Sequence, residues 1–277
     1  MRQQKILSRI PIGNWGNLKI SAGPAHFLRQ QQRDTSLARS SLKMEVPQPA
    51  LEDKMSDTHL FAQMKTKLFT AVVGDVLDQM GRRNQFLPQA LKPLVAGTKI
   101  AGRAVPVLEA DYLEGNGPGP LADKPFGVMF EALDSLSEGE IYMASGASLD
   151  YALWGGLMST RARHLNAAGA ILDGFVRDTD EIKRLGFPVF SRGSFAQDQG
   201  VRGKVLDYRV PVQFGSTTIS PGDLIFADDE GVLVIPADAE KEAIERALEK
   251  VATESEVALA IQNGMSTVDA FDRFGVM

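Results

Sequence analysis

Between residues 141 and 190, short apolar runs alternate with helix-patterned stretches and glycine marks most of the joins, which confines this part of the chain to an α/β arrangement. The run at 141–144, Ile-Tyr-Met-Ala, reads as a strand after the turn at 137–140. A helix beginning near Gly156 and ending at Gly169 follows, then a buried strand at 170–173. Residues 179–185 form a short helix stopped by Gly186, and 187–190, Phe-Pro-Val-Phe, are the next strand.

The flanks extend the pattern. Asp57 or Thr58 is placed to cap a helix running through Leu60, Met64 and Leu68. Val73, Val76, Leu77 and Met80 share one face of a second helix that Gly81 ends. Ile100, Val105 and Val107 suggest a strand, followed by a Gly/Pro-rich loop at 115–120 and a helix at 126–136. Residues 209–236 read as β-rich, with strands at Val210 and Val212, at 217–219, 224–227 and 232–235, and turns at 220–223 and 228–231. A long amphipathic helix at 239–262 carries Ile244, Leu248, Val251 and Leu259 on one side. One α/β domain over 55–277 accounts for all of this. Residues 1–54, rich in Gln, Arg and Ser without an apolar period, read as a disordered extension, with an oligomer-packing arm as the competing reading.

Composition removes whole classes of function. The chain has no cysteine, which excludes disulfides, thiolate nucleophiles and cysteine-held metal centres, so a metal would sit on oxygen or histidine. A net charge of -5 gives no general attraction to nucleic acid or acidic membranes. No apolar window approaches the roughly 18 residues a membrane span needs, and no secretory signal opens the chain, so a cytoplasmic protein with a small-molecule or protein partner is expected.

Two segments carry chemistry. Residues 154–161 read Trp-Gly-Gly-Leu-Met-Ser-Thr-Arg, and adjacent glycines at a helix start let free amides approach an anion, helped by the helix dipole. Residues 173–178 read Asp-Gly-Phe-Val-Arg-Asp and leave a strand end, where α/β proteins place ligands. Arg177 offers a planar fork for a carboxylate, and Asp178 is a hard oxygen ligand for Mg2+ or Mn2+. Asp180 and Glu181 suit the negative first turn of a helix, or reach a metal through water. Trp154 and Tyr151 read as core or as pocket wall, and His164 as a surface or packed helical residue. Neither glycine-rich stretch forms a P-loop or a dinucleotide fingerprint.

With these runs, together with those at 74–81, 186–190 and 221–232, the chain resembles the RraA-like family from about residue 70 to 257. That family includes 4-hydroxy-4-methyl-2-oxoglutarate/4-carboxy-4-hydroxy-2-oxoadipate aldolases, the regulator of ribonuclease E activity, and members mislabelled as dimethylmenaquinone methyltransferases. The resemblance implies a swivelling β/β/α fold assembled as homotrimers or homohexamers, with sites near subunit interfaces. By position it implies that Gly155, Gly156, Leu157 and Met158 bind the substrate carboxylate through backbone amides, that Arg177 binds substrate, and that Asp178 holds a divalent cation. The implied activity is a class II aldolase or oxaloacetate decarboxylase that forms pyruvate, since both reactions pass through one stabilised enolate. Aldolase members usually carry an acid where this chain has Gly156. A different substrate, compensation by Asp150, Asp111 or Glu114, or a non-catalytic interaction role like the ribonuclease regulator's are the readings that follow.

Overall fold

The computed structural model describes residues 56–112, 121 and 123–276; the extension expected at 1–54, the loop at 115–120 and Glu114 lie outside the described residues. In chain order the elements are α1 (Asp57–Lys67), α2 (Thr70–Gln79), β1 (Lys92–Pro93), β2 (Ile100–Asp111), α3 (Met129–Asp134), β3 (Glu140–Ser145) and β4 (Ala152–Trp154). There follow α4 (Gly156–His164), β5 (Gly169–Leu172), β6 (Phe175–Val176), α5 (Thr179–Leu185), β7 (Val189–Ser191) and β8 (Gly203–Tyr208). The last are β9 (Val212–Phe214), β10 (Thr217–Ile219), β11 (Leu224–Ala227), β12 (Val232–Ile235), α6 (Glu240–Gln262) and α7 (Thr267–Phe274).

An eight-stranded sheet runs β1-β7-β5-β3-β2-β11-β12, with β8 also on β2. Strands β2, β3, β5 and β7 are parallel, because the connections through α3, α4 and α5 carry the chain back between them, whereas β11 and β12 form an antiparallel pair against β2. Both faces are covered, so the strands read as unbroken apolar runs whose residues still alternate in destination. Leu224 and Phe226 of β11, with Leu233 and Ile235 of β12, pack under α1, α2 and α6. Ile225, Ala227, Val232 and Val234 turn the other way, onto Ile141, Met143, Ile171 and Phe190. Tyr142 and Leu172 meet Trp154, Phe187 and Val189 in a third cluster, beneath α3, α4 and α5. Among the described residues no helix is long and apolar enough to cross a membrane.

Several boundaries differ from expectation for local reasons. Ser56, not Asp57 or Thr58, is the N-cap of α1, and Asp57 instead takes the Arg103 guanidinium at 2.9 Å. Helix α4 stops at His164, short of Gly169, because Asn166 takes a left-handed φ of 57° and the Ala168 amide already bonds Glu140. Arg209, with φ of 55°, breaks the strand expected at Val210, so β9 starts at Val212. Helix α3 is shorter than the expected 126–136.

Candidate active site

The separate two-stranded ladder of β4 and β6 builds the site. These strands are parallel, pairing Ala152 with Phe175 and Trp154 with Val176, so their carboxyl ends deliver Gly155-Gly156 and Arg177-Asp178 side by side. The Arg177 amide donates to the Trp154 carbonyl at 2.9 Å and fixes that register. Trp154 is buried core: its ring stacks on Phe187 at 6.0 Å, and its indole N–H donates to Ser159 at 2.7 Å. The first residue of α4 is thereby held against the loop after β6.

Asp178 is the N-cap of α5 with a left-handed φ of 56°, a conformation Asp tolerates better than most residues. Its carboxylate does not cap its own helix. It crosses to α4, where Oδ2 accepts the Gly156 amide at 3.0 Å. One of the α4 amides expected to receive a substrate carboxylate is therefore already bound to a protein carboxylate. Arg177 places Nη1 on Asp198 Oδ1 at 2.8 Å and Nε 3.8 Å from Asp178 Oδ2. The guanidinium carries five donors, so this pairing leaves others for an incoming anion.

The glycine pair has a steric cause. A Cβ on Gly155 would meet Asp178 Oδ2 at 2.8 Å, and one on Gly156 would meet Glu181 Oε2 at 2.2 Å. The Glu181 carboxylate thus fills the space where a side chain at 156 would begin. Of the acids weighed in the sequence as compensating for Gly156, Asp111 is occupied by the Ser148 amide at 2.9 Å and the Tyr151 hydroxyl at 2.8 Å. Burial pushes the Asp111 carboxyl up, but those bonds outweigh it and hold the group below its ordinary range. Asp150 does not cap α4, whose N-cap is Gly155, and it is absent from the pocket wall. His164 lies exposed at the far end of α4.

The pocket in front of these residues holds about 240 Å3. Arg177, Asp178, Asp198 and Gln199 supply its polar lining, and Phe126, Met129, Phe130, Leu157 and Met158 are among the apolar residues that line it. Asp198 and Gln199 were not expected from the sequence, where they sit in a polar run without a pattern. Behind Gln199 lies Glu109, fully buried, accepting the Gln199 amide at 2.8 Å. Burial pushes the Glu109 carboxyl up to about 8 against the opposing pull of that bond. Its other oxygen and the buried Tyr142 hydroxyl have no hydrogen-bond partner among the described residues. Burial, and then the Glu109 charge, push Tyr142 up as well.

Among the described residues no cluster of three or more acidic or histidine side chains forms a metal cage. The donor set nonetheless fits a hard divalent cation. Magnesium is commonly held by one or two carboxylates plus water and substrate oxygens, and the Asp178 side chain is 45% exposed and faces the pocket.

An α/β chain whose parallel ladder seats a glycine-opened helix beside an Arg-Asp loop defines a class of small-ligand site at strand ends. This chain belongs to the RraA-like family (Aldolase/RraA), whose model matches residues 70–234. It is 30% identical over 202 residues to Protein DlpA of Legionella pneumophila, covering 73% of this chain and 31% of that protein, so it spans under a third of that relative. It is 29% identical over 205 residues to a Halalkalibacterium halodurans protein provisionally named 4-hydroxy-4-methyl-2-oxoglutarate aldolase, covering 73% of this chain and 89% of that one. The Streptomyces coelicolor RraAS2 structure, described as an unusual member of the RNase ES inhibitor RraA family, superposes with a TM-score of 0.63 at 22% identity. It covers 73% of this chain and 96% of that chain and shares the fold.

Proposed function

We propose that this protein is a carbon-carbon lyase of the class II aldolase or decarboxylase type, cleaving a small 2-oxo acid to pyruvate. The observation that carries the reading is the convergence of Arg177, Asp178 and the glycine-opened start of α4 on one pocket. Arg177 grips the substrate carboxylate, aided by the α4 amides not taken by Asp178. Asp178 would hold a divalent cation, Mg2+ or Mn2+, which would supply charge stabilisation to the developing enolate. Asp198, in the same wall, accepts the proton of the substrate hydroxyl in an aldol cleavage. Trp154 and its neighbours keep water from the back of the site. A homotrimer or homohexamer belongs to the same reading and is checked by light scattering.

The test is pyruvate release from oxaloacetate and from a series of 4-hydroxy-2-oxo acids, with Mg2+ or Mn2+ and with chelator, for wild type and Asp178→Ala. Metal-dependent release lost in the variant supports the lyase; no release from any compound overturns it. A second reading, a protein-binding role like that of the ribonuclease regulators, draws on Leu157, which lines the pocket and is 83% exposed. It predicts a folded protein without turnover.

A further inference from the structure

We infer that Glu109 is a positioning residue for the pocket: from its buried place on β2 it holds the Gln199 side-chain amide in the pocket wall, and through Gln199 it holds Asp198 against Arg177. The inference takes the use of this pocket from the lyase reading, but the bond it concerns lies inside one subunit. Glu109 is 1% exposed and Gln199 4% exposed, and assembly with further copies can only bury them more deeply.

The placement of Glu109 is the first argument. Strand β2 pairs with β8 in register as far as Leu108 opposite Asp207, then the register shifts and Glu109 stands opposite Val205. A bulge of this kind re-aims the side chains beside it. A glutamate buried among apolar neighbours costs stability unless it is paired, and the partner Glu109 has among the described residues is Gln199, whose Nε2 donates to it at 2.8 Å.

The loop between β7 and β8 is the second argument. Its backbone is tied to the β4–β6 ladder where the Phe195 amide donates to the Val176 carbonyl at 3.0 Å and the Ala152 amide to the Gln197 carbonyl at 2.8 Å. Past that point it turns, with the Gln199 carbonyl accepting the Arg202 amide at 2.6 Å and the Gly203 amide at 3.0 Å. Asp198 and Gln199 are neighbours that go to different partners, Asp198 to Arg177 Nη1 at 2.8 Å and Gln199 to Glu109. Anchoring the second fixes the backbone that aims the first.

Protonation changes the grip without abolishing it. A carboxylate only accepts, so it demands an N–H of Gln199; a neutral carboxyl keeps one accepting oxygen for that N–H and carries its proton on the other. Glutamine at 109 offers the same acceptor and donor, whereas methionine offers neither. The titratable and charged groups around Glu109 are Tyr142 from β3 and Tyr151 ahead of β4, both pushed up chiefly by burial and further by the Glu109 charge. Asp111 on β2 is bonded by Ser148 and Tyr151, and Lys204 on β8 turns its ammonium to the Leu121 carbonyl and the Tyr112 ring.

The test uses the full chain, 15N-labelled and without ligand, with the Gln199 side-chain amide followed by NMR from pH 6.5 to 9. Its signals are expected to shift with a midpoint near the value of about 8 to which burial raises Glu109, and to stay flat in Glu109→Gln. In Glu109→Met the amide is expected to exchange with solvent about tenfold faster or more, and the Arg177 side-chain signals to move, as they do not in Glu109→Gln. In the pyruvate assay at pH 7, Glu109→Met is expected to lower kcat about tenfold or more with little change in KM, and Glu109→Gln to restore it to within about threefold of wild type. Gln199 signals indifferent to pH and to both substitutions overturn the inference, as does an equal loss in the Gln and Met variants. If Glu109→Met does not fold, the pH response of wild type against Glu109→Gln decides. Absence of pyruvate release from wild type overturns the lyase, while the amide signals still decide the role of Glu109.

Discussion

Two acidic turns follow short apolar strands in this molecule, at 178–181 after β6 and at 228–231 after β11, and they use their carboxylates in opposite ways. Asp228 is 7% exposed and accepts the Thr70 amide at 2.8 Å, the Thr70 hydroxyl at 2.6 Å and the Glu230 amide at 3.0 Å. Asp229 takes the Gly97 amide with both oxygens. These groups tie the start of α2 and the chain before β2 to the β11–β12 turn, although they too border a cavity. Asp178 accepts one amide and otherwise faces the pocket. A carboxylate whose acceptor capacity is spent on backbone holds structure; one left with capacity beside a guanidinium is available to a ligand.

Asp178→Ala should break the contrast most visibly, lowering pyruvate release about 10³-fold or more, ~4 kcal/mol of transition-state stabilisation, with little change in melting temperature. If Asp228→Ala does the same in a folded protein, the distinction fails. Glu109→Gln bears on the pocket from behind. A carboxyl raised to about 8 in the folded protein from an ordinary 4.5 keeps a proton that the unfolded chain loses. Wild-type stability therefore falls as pH rises through that window, by on the order of 3–5 kcal/mol, and levels off above it. The variant should lose this slope and gain stability at pH 8, read from urea midpoints at pH 5 and 8. Asp228→Ala should cost about 2–3 kcal/mol of stability while kcat stays within about threefold, since it strands buried donors of Thr70. The smallest effect, roughly 1 kcal/mol, is expected for Gly156→Ala, whose Cβ displaces a flexible Glu181 side chain. Adding Glu181→Ala should return the melting temperature, and a failure to do so would remove the steric account of the glycine pair.

Much of this arrangement was legible in the residues. Helix α5 lies where Gly186 and its acidic first turn put it, and strands β11 and β12 match their apolar runs to the residue. The meeting of Gly155-Gly156 with Arg177-Asp178 was readable as two loops at strand ends, but the ladder that joins them was not. Strand β6 is two residues long and β4 three, too short for a period to register. Strand β8 escaped notice because its pattern changes midway, from buried Gly203, Lys204 and Val205 to exposed Leu206 and Asp207, and it meets β2 across a register shift after Leu108. Glu109 and Gln199 lie ninety positions apart and become one buried pair only in three dimensions. Helix α7 is short and follows a long helix directly, yet Ser266 caps it through the Asp269 amide.

Strand β2 has a consequence for how the protein opens. Its twelve residues pair with β3 along one edge and with β11 and then β8 along the other, so segments as far along the chain as 140–145, 203–208 and 224–227 close on the same strand. No half of the sheet is complete without it. The amide hydrogens of β2 and β3 should therefore exchange with solvent only when the whole sheet unfolds, sharing one protection free energy equal to the global stability, while α7 exchanges through smaller, local openings.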